Sequence, residues 1–249
     1  MDKPHPIAEV QSLSAGFGGR SVLEDINLDI HEGEILVVLG KSGCGKSTLL
    51  KHMVGLLKPS AGSVRLFGID IFAADEPEMV EVLKKVGVLF QYGALLNSLY
   101  VHENVAIPLE QHTDVPPSVI RRLVEAKLGL VRLTGTGHLL PSELSGGMRK
   151  RAALARALAL DPDILFADEP SAGLDPMTTA HQDDLLLELR EDLGMTMVVV
   201  THELASIHRI ADRIAFLEDK KILFLGTVSD AKGCGVEIVE EFFRMGTFA

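Results

Sequence analysis

The sequence predicts an α/β fold in which a mainly parallel sheet is interrupted by a helical insert. Three observations indicate this fold. A continuous apolar run, typical of a strand buried on both faces, lies at Ile35–Leu39, and further strand-type runs lie at 164–167 and 195–201. Segments with helical spacing of apolar residues separate these runs. Residues 93–160 are almost wholly helical in pattern, so they form an insert within the sheet domain rather than part of the sheet.

The composition supports one globular domain and excludes several classes of function. The chain has 249 residues, 47% of them hydrophobic, and a net charge of −11. An acidic chain of this kind is not expected to coat nucleic acid, which requires clustered Lys and Arg. Two cysteines cannot form a disulfide framework, so a reducing compartment is expected. No secretory signal is expected, because residues 1–10 contain no apolar h-region. The longest stretch without Asp, Glu, Lys or Arg, residues 86–102, falls short of the ~20 apolar residues of a membrane-spanning helix.

The first third of the chain is predicted as strands and turns around one helix. Residues 22–30 alternate between apolar and polar side chains, as in a half-buried strand. A turn leads to the buried strand Ile35–Leu39, and a glycine-rich loop then precedes a helix over residues 46–57. Two further strands are expected at residues 64–67 and 86–90, with a solvated helical face at 75–85 between them.

The helical insert is expected to break at its prolines, Pro108, Pro116, Pro117 and Pro141. Its last helix, residues 148–160, carries Arg and Lys on one side and repeating Ala and Leu on the other. The predicted division follows: a core from residues 1–92 and 161–225, an insert at 93–160, and a short C-terminal helix within 226–249. Within the second part of the core, a helix over 178–193 separates two strands, and short strands are expected at Arg213–Glu218 and 222–224.

A glycine-rich loop follows the first buried strand and matches the pattern G-x-x-x-x-G-K-S/T. Glycines in such a loop allow backbone N–H groups to close around phosphate oxygens, and the following helix N-terminus adds positive potential. Lys46 is expected to reach the β- and γ-phosphates, and the Ser47 hydroxyl is a ligand for Mg²⁺. The same helix N-terminus predicts a lowered pKa for the thiol of Cys44. The predicted nucleotide-binding residues of this loop are Gly40, Ser42, Gly43, Cys44, Gly45, Lys46, Ser47 and Thr48.

Two acidic residues end the second apolar run. At the carboxyl end of a strand, Asp168 and Glu169 would face the ligand crevice of an open α/β sheet. Asp168 suits a Mg²⁺ shell, and Glu169 suits a general base or a residue that orients the attacking water. An apolar run that ends in acids is common by itself, and the preceding phosphate loop makes the functional interpretation the stronger one.

A second anion site is predicted at Ser145, Gly146 and Gly147. Ser145 is a plausible N-cap of the Arg- and Ala-rich helix, and capping alone would account for it. The two glycines would in addition expose backbone N–H groups at the helix N-terminus.

With these motifs in view, the chain resembles the ATP-binding subunits of ATP-binding cassette (ABC) transporters over nearly its whole length. The ordered motifs are the phosphate loop, Gln91 after a strand, residues 144–148 as signature, Asp168-Glu169, residues 171–175 as D-loop, and His202 after a strand. The resemblance implies a P-loop NTPase ABC ATPase domain with a RecA-like core, an N-terminal antiparallel β part and an inserted helical subdomain. It also implies that ATP and Mg²⁺ are bound and that ATP is hydrolysed.

The resemblance further implies a head-to-tail dimer with two ATP molecules at the interface. The phosphate loop of one copy would face Ser145, Gly146 and Gly147 of the other. Gln91 would contact Mg²⁺ or the lytic water, and Asp175 would link the two sites. Glu169 would activate water, and His202 would hold the γ-phosphate. The implied catalytic set is Glu169, His202, Gln91 and Lys46, and the implied metal set is Ser47, Gln91 and Asp168.

Several of these residues have structural alternatives. Gln91 could be a polar residue satisfied at a strand end, and Asp175, before Pro176, could be a turn or cap residue. His202 by itself would more often be structural. Phe17 lies where the family places an aromatic that stacks on adenine, and the alternative is a core side chain.

The sequences of three segments are similar to those of the ATPases of MCE-protein lipid transporters, which move phospholipid between the inner and outer membranes of Gram-negative bacteria. These segments are residues 89–96, 103–113 and 141–156. This similarity implies a second copy of the chain, an integral membrane permease and an MCE-domain protein as partners, at the cytoplasmic face of the inner membrane. The apolar residues 92–100 would either pack in the core or form a groove for a permease helix. An ABC importer ATPase for amino acids, sugars or metals stays open as the alternative. A soluble ABC protein of translation or DNA repair and a non-hydrolysing regulator fit less well.

Overall fold

The structure is a computed structural model that describes residues 6–245, apart from the side chains of Phe17 and Met245. Two sheets organise the described chain, one of four strands and one of six. Helices cover the larger sheet, and three of them are inserted between two of its strands. The α/β prediction with an antiparallel β part and a helical insert is therefore confirmed.

The six-stranded sheet has the order β10-β9-β3-β8-β7-β6. All neighbouring strands run parallel except β10, which pairs antiparallel with β9. Every residue of β3, β7 and β8 is buried, as expected for strands covered on both faces. The strands are β3 (Ile35–Leu39), β6 (Val86–Leu89), β7 (Ile164–Asp168), β8 (Thr196–Val200), β9 (Arg213–Glu218) and β10 (Lys221–Gly226).

The smaller sheet is antiparallel and has the order β2-β1-β4-β5. Its strands are β1 (Ala8–Phe17), β2 (Arg20–Ile30), β4 (Ala61–Leu66) and β5 (Ile69–Asp70). The sequence pattern did not predict β1. Register shifts interrupt its pairing with β2, and Ser12 adopts a φ of 46°, so the two-residue alternation is broken in mid-strand.

The predicted helices are present in the described residues with shifted ends, and the short helices α7 and α8 were not predicted. The inserted helices are α3 (Val101–His112), α4 (Pro117–Leu130) and α5 (Gly146–Ala157), with a 3₁₀ turn at Pro141–Glu143. The other helices are α1 (Lys46–Met53), α2 (Glu76–Lys84), α6 (Pro176–Leu193), α7 (Leu204–Ile210), α8 (Val228–Ala231) and α9 (Glu237–Met245).

Two hydrophobic cores lie on opposite faces of the parallel sheet. Alternate residues of β3 enter each core: Ile35 and Val37 pack with the inserted helices, and Leu36 and Val38 pack with α1 and the antiparallel sheet. This arrangement holds the loop after β3 between the two layers.

One predicted helix break is wrong. Pro108 lies inside α3, which continues on both sides of it. A proline removes one backbone hydrogen bond, and burial of Val105 and Leu109 against the core keeps this helix continuous. In residues 6–245 no helix combines the length and apolar character needed to span a bilayer.

Candidate functional site

Four adjacent strands of the parallel sheet carry the predicted catalytic motifs at their carboxyl ends. Gly40 follows β3, His202 follows β8, Asp168 ends β7, and Gln91 follows β6. Because β3, β8, β7 and β6 are consecutive in the sheet, these residues lie along one edge of it. That edge is where open α/β sheets bind their ligands.

The phosphate loop has the backbone that its glycines predict. A Cβ atom at Gly40 would lie 1.9 Å from the carbonyl oxygen of Leu217, so the loop passes too close to β9 for any side chain. Gly45 has a φ of 112° and occupies the N-cap position of α1. Within the described structure no side chain caps this helix. The free N–H groups at its N-terminus therefore face the loop, as anion binding requires.

Lys46 and Ser47 occupy the first positions of α1 and point to the predicted phosphate and metal sites. The buried Lys46 Nζ donates to the carbonyl oxygens of Gly40 and Lys41, both at 2.9 Å. The Ser47 Oγ donates to the Asp168 Oδ1 at 3.0 Å. The structure therefore brings together two of the three predicted metal ligands, which are 121 residues apart in the chain.

Glu169 and His202 form a hydrogen-bonded pair beside the phosphate loop. The His202 Nδ1 and the Glu169 Oε1 are 2.8 Å apart, and the histidine is exposed while the glutamate is buried. The Glu169 Oε2 is buried and has no hydrogen-bond partner among the described residues. Glu169 also adopts a left-handed backbone, with a φ of 49°. A carboxylate that has one oxygen oriented by a histidine and the other without a partner, at a residue with a strained backbone, is the arrangement of a general base.

Cys44 departs from the prediction made for its thiol. Burial raises the pKa of Cys44, and the nearby Lys46 charge opposes that shift without overcoming it. The predicted lowering of this pKa is therefore wrong. The sulfur packs inward toward Gly40 and the apolar core rather than facing the open end of the helix, so desolvation dominates.

The predicted second anion site lies apart from the phosphate loop of the same chain. Ser145 caps α5 through its Oγ, which accepts from the Met148 N–H at 3.2 Å, and Asp175 caps α6 by accepting from two backbone N–H groups at 3.1 Å. The Thr178 hydroxyl and backbone N–H lower the pKa of Asp175. The structural alternatives for both residues are thus realised.

A cavity of about 510 Å³ joins these two caps. Signature residues form one wall, and the D-loop with the start of α6 forms another. Its lining includes Ser145, Gly146, Gly147, Gly173, Leu174, Asp175 and Thr178, together with Arg132 and Arg151. No residue of the phosphate loop contributes to it. A larger cavity, of about 730 Å³, lies between α3 and α4 and contains none of the predicted site residues.

For the remaining predicted residues the structure shows the position in the fold but does not test the predicted role. Gln91 lies at the catalytic edge, and its carbonyl oxygen accepts a hydrogen bond from Lys150. The backbone of Phe17 ends β1, but its side chain lies outside the described residues, so stacking on adenine stays a prediction. Tyr92, 91% exposed, and Leu96, 48% exposed, lie on the surface rather than in the core.

Two buried polar groups near the site were not predicted. The pattern places Lys150 with the other Arg and Lys on one side of its helix, and the structure shows that it is buried and contacts the backbone of Gln91 and Glu169. Asp183 on α6 is buried against α7 and accepts from the Ser206 hydroxyl at 2.8 Å. The only sequence signal for either was its position on the helical spacing of neighbouring core residues.

A family model described as ABC transporter matches residues 23–172 of the chain. The chain belongs to the ABC transporter family. Its RecA-like core, antiparallel β part and ordered motifs agree with that membership, and the predicted ATP-binding domain of an ABC ATPase is confirmed.

Curated relatives of this ABC transporter chain carry two different names. It is 44% identical over 218 residues to the "Probable ribonucleotide transport ATP-binding protein mkl" of Mycobacterium leprae, covering 88% of this chain and 63% of the relative. It is 42% identical over 221 residues to the "Intermembrane phospholipid transport system ATP-binding protein MlaF" of Haemophilus influenzae, covering 89% and 84%. The Escherichia coli K12 MlaF is 41% identical, with 89% and 82% covered. The chain spans 61–63% of the length of the mycobacterial relatives.

Solved ABC cassettes share the fold. A dimeric cassette described as a post-hydrolysis state of MJ0796 bound to ADP and Pi superposes with a TM-score of 0.81 at 32% identity, covering 89% of this chain and 98% of that one. The cbiO1 subunit from Clostridium perfringens, part of a cbiONQ transporter complex, has a TM-score of 0.83 at 27% identity, with 98% of each chain covered.

Proposed function

We propose that this ABC chain binds and hydrolyses ATP as a head-to-tail dimer. The observation that carries the proposal is the alignment of four motif-bearing strand ends along one sheet edge, with Glu169 and His202 paired beside Lys46 and Ser47. The signature residues lie in a separate cavity of the same chain. A second copy would therefore be needed to bring signature N–H groups to the phosphates, as the dimeric form of the solved MJ0796 cassette supports.

Each residue has a role that follows from its contacts. Lys46 would exchange its two carbonyl partners for phosphate oxygens, and the α1 N-terminus would stabilise their negative charge. Glu169 would take a proton from the attacking water through its unpaired oxygen, while His202 keeps the carboxylate oriented. Ser145, Gly146 and Gly147 of the partner copy would donate to the γ-phosphate.

The residues at this edge also fit Mg²⁺. The Ser47 hydroxyl and the Asp168 carboxylate supply oxygen donors, which this cation prefers, and Gln91 would add an amide oxygen. In the described part of the chain no cluster of three or more His, Cys, Asp or Glu side chains could hold a metal alone. Phosphate oxygens would therefore complete the shell. When bound, Mg²⁺ would neutralise phosphate charge during hydrolysis.

We further propose that the ATPase drives transport of phospholipid between the inner and outer membranes. The relatives named for intermembrane phospholipid transport are matched over 82–84% of their own length, and those named for ribonucleotide transport over 61–63%. The predicted partners are a membrane permease and an MCE-domain protein, with the chain at the cytoplasmic face of the inner membrane. The exposed segment containing Tyr92 and Leu96 is the proposed docking surface for the permease.

Affinity purification of the chain from its native membranes, with mass spectrometry of proteins and lipids, tests this proposal. A permease that co-purifies with an MCE-domain protein and phospholipid is the expected result. A permease accompanied by a solute-binding protein would contradict lipid transport and favour an importer. Ribonucleotide-stimulated ATP turnover of the purified complex would favour the transport named for the mycobacterial relatives.

A further inference from the structure

Lys150 is a buried cation whose partners are backbone carbonyl groups. It lies in the second turn of α5, and only 8% of its surface is exposed. Its Nζ donates to the carbonyl oxygen of Gln91 at 2.6 Å and to that of Glu169 at 2.8 Å. One ammonium group thus joins the helix that begins at the signature to the two backbone segments that carry predicted catalytic side chains.

The charge of Lys150 is costly to bury, so its placement requires a reason. Burial lowers the pKa of Lys150, and the negative charges of Glu169 and Asp168 act in the opposite direction. Two neutral carbonyl groups compensate only partly for the lost hydration of an ammonium. An apolar side chain would pack here at lower cost, but it could donate to neither carbonyl group.

The same helix holds the backbone after Gln91 at further points. Arg156, also on α5, donates to the carbonyl oxygens of Gly93 at 2.8 Å and Ala94 at 2.7 Å. A Cβ atom at Gly93 would lie 3.1 Å from the Cβ of Ala153, so the helix packs closely against this turn. Residues 91–94 are therefore bound along α5, and a displacement of α5 would move the backbone of Gln91 with it.

On its other side Lys150 stabilises an unfavourable backbone. Glu169 adopts a φ of 49°, a conformation that L-residues rarely occupy outside constrained sites. The Glu169 N–H donates to the Val200 carbonyl at 2.9 Å, and its carbonyl accepts from Lys150 at 2.8 Å and from the Ala172 N–H at 3.1 Å. These bonds fix the peptide groups on both sides of the residue, and so set the direction in which its carboxylate leaves the chain.

We infer that Lys150 is a positioning residue that holds the backbone of Gln91 and Glu169 in a fixed position relative to α5, the helix that begins at the signature residues. Its Nζ contacts backbone carbonyl groups, so it would act through the backbone of the two residues to which catalytic roles are assigned. In this role, a movement of α5 would displace the backbone of Glu169, the proposed general base, through the hydrogen bond that Lys150 donates to its carbonyl group. The inference rests on the proposed ATPase function of the site.

The test replaces Lys150 by Met, which keeps the length and apolar stem of the side chain and removes its donors. The full chain is assayed in the complex that co-purifies with it. Because misplaced catalytic groups slow chemistry, Lys150→Met should lower kcat by about 10- to 100-fold. The Kd for ATP should stay within about twofold, because Lys46 and the phosphate loop are intact. Lys150→Arg, which keeps charge and two donors, should retain kcat within about threefold of the unaltered chain.

Lys127→Met is the matched control. Lys127 is also a buried lysine of the helical insert, 5% exposed, but it pairs with Asp161, remote from the nucleotide edge. Its loss should lower stability without lowering kcat. If Lys150→Met does not fold, Lys150→Leu, which also lacks donors, takes its place and is judged by the same criteria.

Three results would overturn the inference. The first is a Lys150→Met chain with unchanged kcat, and the second is an equal loss of kcat in Lys127→Met. The third is a Lys150→Arg chain as slow as Lys150→Met. Absence of ATP turnover in the unaltered complex would instead contradict the proposed function, and the role of Lys150 with it.

Discussion

At the residue scale, the catalytic edge depends on charged groups held in unfavourable surroundings. Glu169 combines a left-handed backbone with a buried carboxylate. One of its oxygens pairs with His202, and the other has no partner among the described residues. Asp183 on α6, which is 14 residues further along the chain, is 2% exposed and also has an unpaired buried oxygen within the described structure. Each carboxylate is expected to reduce stability, because it carries a buried oxygen without a partner, and each leads to a separate prediction.

Replacing Glu169 by Gln should separate binding from chemistry. The amide keeps the shape of the side chain and cannot accept the proton of the attacking water. We expect turnover to fall by about 100-fold or more, the range attributed to a general base, with ATP affinity preserved. Turnover is measured by phosphate release and affinity by equilibrium binding. Glu81→Gln, an exposed residue of α2, is the control. Full turnover in Glu169→Gln would refute its assignment as the base.

Asp183 predicts a pH dependence of stability. Burial raises its pKa from 3.8 to about 6, opposed by the Ser206 hydroxyl and Arg209 and reinforced by Asp184 and Glu203. The folded state therefore binds this proton more tightly than the unfolded chain, and stability is lost as pH rises from about 4 through about 6. Asp183→Asn should raise the unfolding free energy by up to about 2 kcal/mol at pH 7 and by much less at pH 4.

Denaturant unfolding at both pH values measures this difference. Asp192→Asn, an exposed position on the same helix, should show no comparable gain at pH 7. A pH-independent effect of Asp183→Asn would mean that the pKa of this carboxyl group does not differ between the folded and the unfolded chain.

At the element scale, the helices α5 and α6 begin at residues that both cap and line a cavity. Ser145 and Asp175 satisfy backbone donors of their own helices, and the glycines beside them leave backbone groups accessible. Gly147 is required for a second reason: a Cβ there would lie 2.8 Å from the Thr178 Cγ2. The two helix N-termini are therefore held close together by small residues.

The C-terminal end of α6 provides a test of helix termination. Gly194 ends the helix with a φ of 66°, and no atom of the described structure lies within 4 Å of a Cβ built on it. Gly194→Ala should therefore cost about 1 kcal/mol through backbone conformation alone. Gly233→Ala is the matched control, because its Cβ is equally unobstructed and its φ is not in the left-handed region. Thermal unfolding compares the two, and equal stabilities would contradict a conformational origin.

At the scale of the whole molecule, the nucleotide edge and the signature cavity are two halves of a site that one chain does not close. Met177, which follows the D-loop, is 71% exposed next to the signature cavity. An apolar side chain at this position is expected to be covered when a second copy binds.

ATP-dependent dimerisation tests this surface. In the Glu169→Gln background, ATP should convert the chain to a dimer detectable by light scattering. Adding Met177→Lys should weaken that dimer, because a charge would be buried at the interface. Leu193→Lys, at the far end of the same helix and 49% exposed, should not. Equal dimerisation of both variants would place the interface elsewhere.

Much of the fold and of the site could be predicted from local pattern. The phosphate loop, the acids at the end of β7 and the helix cap at Ser145 depend on spacing, φ values and apolar runs within a few residues, and these are readable in one dimension. Strand β1 could not be predicted in this way, because a bulge breaks its alternation of apolar and polar residues. The continuity of α3 through Pro108 could not be predicted either, because packing against the core outweighs the cost of a proline within a helix.

Tertiary structure alone decided which motifs meet. The Ser47–Asp168 and Glu169–His202 contacts depend on the strand order β3-β8-β7-β6, which no local periodicity specifies. Lys150 and Asp183 have the composition of solvated helix positions, and only the packing of α5 and α6 against the sheet and α7 buries them. Local sequence sets conformation because it acts through neighbouring residues, whereas burial and hydrogen-bond partners are set by elements far apart in the chain.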